Sequence, residues 1–325
     1  MKMISYDRYG SPDVLKVKEA GMPVVNDDDV LVRVRAASVN PLDCYFMRGT
    51  PYIVRAQAGL LRPKSSRLGA DMAGQVEAVG KNVTKFAAGD EVFGGLGGLG
   101  TLAEYISIQQ DAVILAKPAN LTLEQAASVP VAAFTALQAL RDQGHLRAEQ
   151  KVLINGAAGG VGTFAVQIAK ALGAEVTGVC STRNTEMVAS IGADQVVDYT
   201  RQDFTRTGQC YDLLIDIAGN RALADCRRVL GRRGVLVGVG GPAKGRWVGP
   251  MTRPVKMAVL SPVVSQTMGF FLARQSADDL AVLRELIQAG QVTPVIDRTY
   301  PLSEVPQAIR YLEQGHARGK VVITV

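Results

Sequence analysis

Residues Lys151-Val-Leu-Ile-Asn-Gly156-Ala-Ala-Gly159-Gly160-Val161-Gly162 run straight into Thr-Phe-Ala-Val-Gln-Ile-Ala-Lys170. No other stretch constrains the fold as much. An apolar run of strand length meets a glycine cluster, then apolar residues at helical spacing: a strand, a tight turn and a helix start. Glycines admit a backbone approach that a Cβ would block, and a helix N-terminus presents free N–H groups with a partial positive charge. Together they make the unit that holds the pyrophosphate of a dinucleotide. A second strand, Glu175-Val-Thr-Gly-Val179, follows at the spacing of a βαβ unit and ends in Cys180-Ser181-Thr182-Arg183-Asn184. An NAD site places Asp or Glu there to accept from the ribose hydroxyls. This strand end carries hydroxyls and a guanidinium instead, which repel nothing and can bind a 2′-phosphate by charge-assisted hydrogen bonds. The reading is NADPH.

A chain of 325 residues suits two domains better than one small core. Its 47% hydrophobic and 20% charged residues describe an ordinary globular protein rather than a disordered one. The net charge of +6 fits a pocket for a multiply anionic cofactor, although most of it serves as solvated surface. Cysteines stand at 44, 180, 210 and 226 with no C-x-x-C pair, and no secretory leader or targeting peptide is expected. That pattern points to a reducing, cytoplasmic setting and away from a disulfide framework. The most apolar run, Met257 to Ala273, is interrupted by Ser261, Pro262, Ser265, Gln266 and Thr267. It reads as a core helix plus a buried strand, not a membrane span.

Residues 1 to about 122 read as short strands between turn signals, the pattern of a rolled β domain. Thr122 and Gln125 have capping-box spacing before an Ala-rich helix that runs toward Leu140. Strands then alternate with helices: 151–154, 175–179, 195–197, 211–216 and 233–238, with helix starts near Gly162, Thr185 and Asn220. This is an α/β, doubly wound parallel sheet with its ligand at the carboxyl ends of the strands. Gly269 to Ala273 makes a sixth strand, Asp278 to Ala289 and Val305 to Gln314 have helical spacing, and Lys320 to Val325 is a last strand. That strand is expected to return to the first domain. The division is therefore 1–122 with 274–325 for the catalytic domain, and 123–273 for the inserted nucleotide-binding domain.

Several further motifs carry a resemblance over essentially the whole chain. They are Ser38-Val-Asn40-Pro-Leu-Asp43, Gly69-Ala-Asp71-Met-Ala-Gly74-Gln-Val-Glu-Ala-Val-Gly80, Gly89-Asp90-Glu-Val-Phe93, Val131-Ala-Ala-Phe-Thr135-Ala136, the glycine turn, and Gly315-His316-Ala-Arg318-Gly-Lys320. With them the chain resembles the medium-chain dehydrogenase/reductase superfamily, in its zinc-free quinone oxidoreductase (zeta-crystallin-like) branch. The resemblance implies a Rossmann domain inserted in a mainly β, GroES-like catalytic domain. Zinc-dependent members carry a Cys-x-x-Asp loop, then Gly-His-Glu, then a four-cysteine lobe. Here Asn40-x-x-Asp43 and Gly69-Ala70-Asp71 stand in the first two places, and the glycine run after Phe93 holds no cysteine. Catalytic zinc is not expected.

The implied activity is hydride transfer from NADPH to an electrophilic acceptor, a quinone or a conjugated enone. By resemblance, Asn40 sits beside the nicotinamide ribose and the acceptor oxygen. Tyr45 and Tyr52 flank that loop and could donate a proton or stack on a flat ring, whereas Asp43 reads as a turn residue. The resemblance assigns Ala158, Gly159, Gly160 and Val161 to the pyrophosphate, Ser181 and Arg183 to the 2′-phosphate, and Tyr199 to the adenosine end. It assigns Thr135 and Gly238 to the nicotinamide, with His316, Ala317 and Arg318 reaching the cofactor from the C-terminal segment. Arg55, Arg62, Lys64 and Arg67, and then Lys244, Arg246, Arg253 and Lys256, are basic groups that are mostly solvated or frame a pocket mouth. Val255 to Val264 is a candidate lining for it. A homodimer through the edge strand near Gly269 to Ala273 is also implied. The alternative is an NADPH-binding regulatory or RNA-binding protein with little turnover, although nucleic acid is not the expected partner.

Overall fold

The strand Asp29–Val39 is the spine of the first of two units in the computed structural model, which describes residues 1–96, 100–240 and 249–325. Val30, Val32, Val34, Ala36 and Ala37 along it are buried, because partners cover the strand on both faces and both edges. It pairs antiparallel with Asp71–Val79, with Tyr105–Gln109 and with Lys320–Thr324. Glu91–Gly95, Ile114–Ala116 and Ile296–Pro301 complete a seven-stranded sheet. The C-terminal strand thus pairs within the first sheet. Its register sets Val322 opposite Ser38, and on the other side Ser38 lies opposite Asp71. That pairing fixes where the polar residues of this unit meet.

The second unit carries six parallel strands in the order Gln195–Asp198, Glu175–Cys180, Lys151–Asn155, Tyr211–Asp216, Leu230–Gly238, Thr267–Phe270. Val152, Leu153, Ile154, Leu213, Leu214 and Ile215 are buried, which is why the central strands read as continuous apolar runs rather than alternating ones. The chain winds outward from Lys151–Asn155 in both directions. Sheets of this kind open a ligand crevice at that reversal, beyond the carboxyl ends of the strands.

The first unit comprises Met1–Phe134, Gln275–Gln288 and Pro294–Val325, and the second Thr135–Arg274 with Ala289–Thr293. The division therefore falls later than the change of pattern at residue 122. The helix Leu123–Ala127 packs against the strands Asp29–Val39 and Asp71–Val79, which keeps it with the β unit. Thr293 instead exchanges two hydrogen bonds with Gln167, which holds its short segment on the second unit.

Three elements differ from expectation. The capping box forms, with Gln125 N donating to Thr122 Oγ1 at 3.2 Å and Thr122 N donating to Gln125 Oε1 at 3.0 Å. The helix it starts stops at Ala127, however, and a new one runs from Pro130 to Gln138. Proline lacks the N–H that would continue the first helix and is well placed to begin the second. The helix expected near Asn220 begins at Leu223, since Asn220 Oδ1 accepts from Asn155 Nδ2 at 3.0 Å. The last strand of the parallel sheet is Thr267–Phe270, ending where its neighbour ends, with Phe270 opposite Gly238. Among the described residues, no helix is long and apolar enough to cross a membrane.

Candidate active site

The glycine turn is built by steric exclusion. Gly156 has φ +96°, a conformation that side-chain-bearing residues avoid, and it redirects the chain at the end of Lys151–Asn155. A Cβ on Gly162 would lie 2.1 Å from the carbonyl oxygen of Gly156, so only glycine lets the helix Gly160–Ala171 pack this close. Gly159 is different. It sits at the N-cap with no side-chain bond, and a Cβ there would meet nothing nearer than the same oxygen at 3.6 Å. The first intrahelical bond is Thr163 N to Gly159 O, which leaves the N–H groups of Gly160, Val161 and Gly162 without an acceptor inside the helix. Open space in front of a bare helix start fits the pyrophosphate of a dinucleotide. Ala158 is buried beneath this turn, whereas Gly159, Gly160 and Val161 are half-buried at its surface.

The neighbouring strand ends supply the rest of this edge. Ser181 is half-buried and its Oγ accepts from Asn184 Nδ2 at 3.2 Å, while Thr182 and Arg183 are exposed. Tyr199, 43% exposed, has its backbone N donating to Cys180 O at 3.0 Å, next to the Ser181 end. Gly238 closes its strand in register with Asp216 and Phe270, buried against Phe270 and Met257.

An acid does stand here, contrary to the reading of this strand end alone. Asp198 lies opposite Cys180 in register, accepts from Thr182 Oγ1 at 2.6 Å and Thr200 Oγ1 at 2.7 Å, and pairs with Arg201 at 3.6 Å. The Thr182 and Thr200 hydroxyls hold its carboxyl below the usual range. Strand pairing, not sequence proximity, brings it there.

A second group missed in the sequence is Asp216, fully buried at the end of Tyr211–Asp216. It accepts from Asn155 Nδ2 at 2.7 Å and Gly219 N at 3.0 Å, and pairs with Arg253. Arg253 is thus committed to an ion pair rather than to a pocket mouth. Lys256 is exposed, and Lys244 and Arg246 lie outside the described residues. Along the proposed apolar lining, Met257 turns into the core while Val255, Val259 and Val263 are 55%, 67% and 75% exposed. Thr135 is half-buried on the helix Pro130–Gln138.

In the first unit, Asn40 ends the spine strand and begins the helix Pro41–Arg48. Asp43 N donates to the Asn40 backbone carbonyl at 3.0 Å. Asp43 does the turn's work, with Oδ2 accepting from Asn40 N at 2.7 Å and Oδ1 from Gly69 N at 3.0 Å. The Asn40 side chain is turned instead to Asp71 and Lys320. Nδ2 donates to Asp71 Oδ2 at 2.9 Å, and Lys320 Nζ donates to Asn40 Oδ1 at 2.6 Å. Asp71 also accepts from Ser38 Oγ at 2.8 Å and Val131 N at 3.0 Å, with Lys320 Nζ 3.4 Å away. Burial pushes the Asp43 carboxyl up to about 7, with the Asp71 charge adding to the effect. Burial lowers the Lys320 ammonium, opposed by Asp71.

Beside Asp43, a cavity of about 160 Å³ is lined by Tyr6, Leu42, Phe46, Lys64, Arg67 and Leu68, among others. Tyr45 is half-buried on the helix, and its hydroxyl is raised by burial. Tyr52 lies under the Arg55 guanidinium, 4.7 Å from ring centroid to Cζ, and Tyr9 faces the same cation at 4.5 Å. Arg55 is therefore a stacked residue, not a free basic group. His316 and Arg318 are exposed, and Ala317 packs on the core of this unit.

A family model described as an alcohol dehydrogenase GroES-like domain matches residues 26–118, and one described as a zinc-binding dehydrogenase matches residues 191–323. NAD(P)H oxidoreductase RTN4IP1, mitochondrial, of Mus musculus is 35% identical over 98% of this chain and 88% of its own length. NADPH-dependent alkenal/one oxidoreductase, chloroplastic, of Arabidopsis thaliana is 32% identical over 99% of this chain and 79% of its own. The quinone oxidoreductase from Coxiella burnetii superposes with a TM-score of 0.86 at 31% identity, covering 100% of this chain and 99% of that one. The chain belongs to the medium-chain dehydrogenase/reductase superfamily, in its quinone oxidoreductase branch. This reductase is an oxidoreductase that uses a nicotinamide nucleotide. Among the described residues, no group of three or more His, Cys, Asp or Glu side chains could hold a metal ion.

Proposed function

We propose that the protein reduces quinones or conjugated enones with NADPH and without a metal. The observation that carries this reading is the pairing of an open Gly159 cradle with a strand end presenting Ser181, Thr182 and Arg183. A guanidinium and hydroxyls suit a 2′-phosphate, and the NADPH named for the Arabidopsis relative supports the same choice. When bound, NADPH supplies the hydride. The chain's part is to hold the pyrophosphate at Ala158 to Val161, the adenosine end at Ser181, Arg183 and Tyr199, and the nicotinamide at Thr135 and Gly238. Asn40, His316, Ala317 and Arg318 are assigned to the same cofactor by family resemblance. Asn40 is also the proposed donor to the acceptor oxygen, and Tyr45 and Tyr52 are the proposed proton donors or stacking partners.

The acceptor class rests on chemistry and on relatives. Conjugated acceptors are already electrophilic and need positioning more than a Lewis acid. The relatives named here are a quinone oxidoreductase and an alkenal/one oxidoreductase. Four free cysteines, Cys210 among them exposed, favour a reducing compartment. A homodimer through Thr267–Phe270 is supported by that strand's place at the sheet edge and by exposed Leu272 and Val263 nearby in sequence.

The deciding experiment follows NADPH and NADH oxidation over a panel of quinones and enones, before and after chelation. Turnover with NADPH, weak use of NADH and indifference to the chelator are expected. Preference for NADH, or turnover that depends on zinc, would overturn the reading. Tight NADPH binding with no oxidation of any acceptor would favour the regulatory alternative.

A further inference from the structure

A lysine 3% exposed stands at the centre of the first unit, where an ammonium is costly unless its hydrogen bonds are specific. The chain is steered to put it there. Gly319 has φ +103°, and a Cβ on it would lie 2.3 Å from Val295 O, so glycine alone lets the last strand start at this point. Lys320 N then donates to Val295 O at 2.8 Å, and Nζ reaches Asn40 Oδ1 at 2.6 Å.

Asn40 is gripped from both ends as a result. Its carbonyl oxygen accepts from the ammonium and its Nδ2 donates one hydrogen to Asp71 Oδ2. This fixes which way the amide faces, because the reversed orientation would set NH₂ against an ammonium and oxygen against a carboxylate. Asp71 is itself held by Ser38 Oγ and Val131 N. Asn40 is 3% exposed, and the bond to Asp71 uses one of its two Nδ2 hydrogens, leaving the second as the donor on which the proposal turns. An ammonium on the amide oxygen draws electron density from nitrogen and strengthens the remaining N–H as a donor, offsetting the opposite effect of the Asp71 carboxylate on the same nitrogen. Negative charge gathers on the oxygen of a quinone or enone as it is reduced, and a pre-aimed donor is worth most at that point.

We propose that Lys320 is a positioning residue for reduction, acting with Asp71 to orient and polarise the Asn40 amide toward the acceptor oxygen. The inference rests on the proposed role of Asn40. Lys320 is proposed to act through Asn40, the group its ammonium bonds.

The test compares Asn40→Ala, the double variant Lys320→Met/Asp71→Asn, and Lys320→Gln/Asp71→Asn. Both double variants remove the two charges together, so neither leaves one buried alone. Kinetics use NADPH with a soluble benzoquinone and a short-chain enone, with NADPH affinity measured separately by fluorescence. The methionine variant should lower kcat about 10- to 100-fold, the range for losing one hydrogen bond to a charged group. NADPH affinity should hold within about twofold, and the glutamine variant, which keeps an N–H for Asn40 Oδ1, should recover part of the loss. Wild-type kcat in the folded methionine variant, with Asn40→Ala impaired, would overturn the inference and leave the Asn40 reading standing. Wild-type kcat in Asn40→Ala would remove the reading itself. An independent measurement needs no variant to fold: solvent exchange of the Asn40 Nδ2 protons in the wild-type protein by ¹⁵N NMR. One slow and one faster proton are expected, and two fast protons would overturn the proposal.

Discussion

Thr182 Oγ1 donates to Asp198 Oδ2 at 2.6 Å, joining the strand end assigned to the 2′-phosphate to an acid on the adjacent strand. The carboxylate is engaged by Thr200 and Arg201 as well, so its field at the crevice is partly cancelled. Its residual charge still opposes a phosphate. Asp198→Asn should therefore raise the preference for NADPH over NADH, by roughly a few-fold at most for a charge at this exposure. The ratio of the two dissociation constants is the measurement. A fall in the NADPH preference would show that Asp198 helps to hold the cofactor rather than opposing it.

Arg183→Ala tests the phosphate assignment directly. A hydrogen bond to a charged group is worth about 1.5–3 kcal/mol, so NADPH should bind roughly 10- to 100-fold more weakly. NADH, lacking the phosphate, should change little. Equal weakening of both nucleotides would take Arg183 out of the site.

Two glycines of one turn should fail in different ways. Gly162→Ala places a Cβ 2.1 Å from Gly156 O, so backbone must move, at a cost of about 1–3 kcal/mol of stability. Gly159→Ala has room, with φ −83° and no contact nearer than 3.6 Å, and should melt like the wild type. Its methyl would occupy the space in front of the helix start, so NADPH affinity should fall while stability holds. Thermal unfolding and cofactor titration of the pair separate the outcomes, and unchanged affinity in Gly159→Ala would place the pyrophosphate elsewhere.

Asp43 makes a prediction about pH. Its carboxyl is raised from 3.8 to about 7 in the native state, so the folded protein holds a proton that the unfolded chain releases near pH 4. This contribution to stability is complete below about pH 4 and is lost as pH rises to about 7. Asp43→Asn has no such proton and serves as the baseline. Denaturant unfolding at several pH values should show wild-type stability falling relative to the variant across that window. A difference that stays flat or grows with pH would contradict the assignment.

Much of this architecture was legible along the chain. The glycine turn and the alternating strands and helices depend on local order. Periodicity, turn chemistry and Cβ sterics act over a few residues and are written in consecutive letters. The break at Pro130 was not read, because the Ala-rich composition around it suggested one helix running toward Leu140.

The sequence by itself determined the two kinds of sheet, the dinucleotide turn and the groups at the end of Glu175–Cys180. Only the tertiary structure decided which charges those groups meet. Asp198 reaches Thr182 across a strand pair, Arg253 reaches Asp216 from a separate helix, and Lys320 reaches Asn40 from 280 residues away. Each of these three contacts joins side chains whose distance is set by sheet register and burial, neither of which a linear pattern encodes. A buried ammonium reads in sequence like any surface lysine, and only the apolar packing around it makes its hydrogen bonds specific.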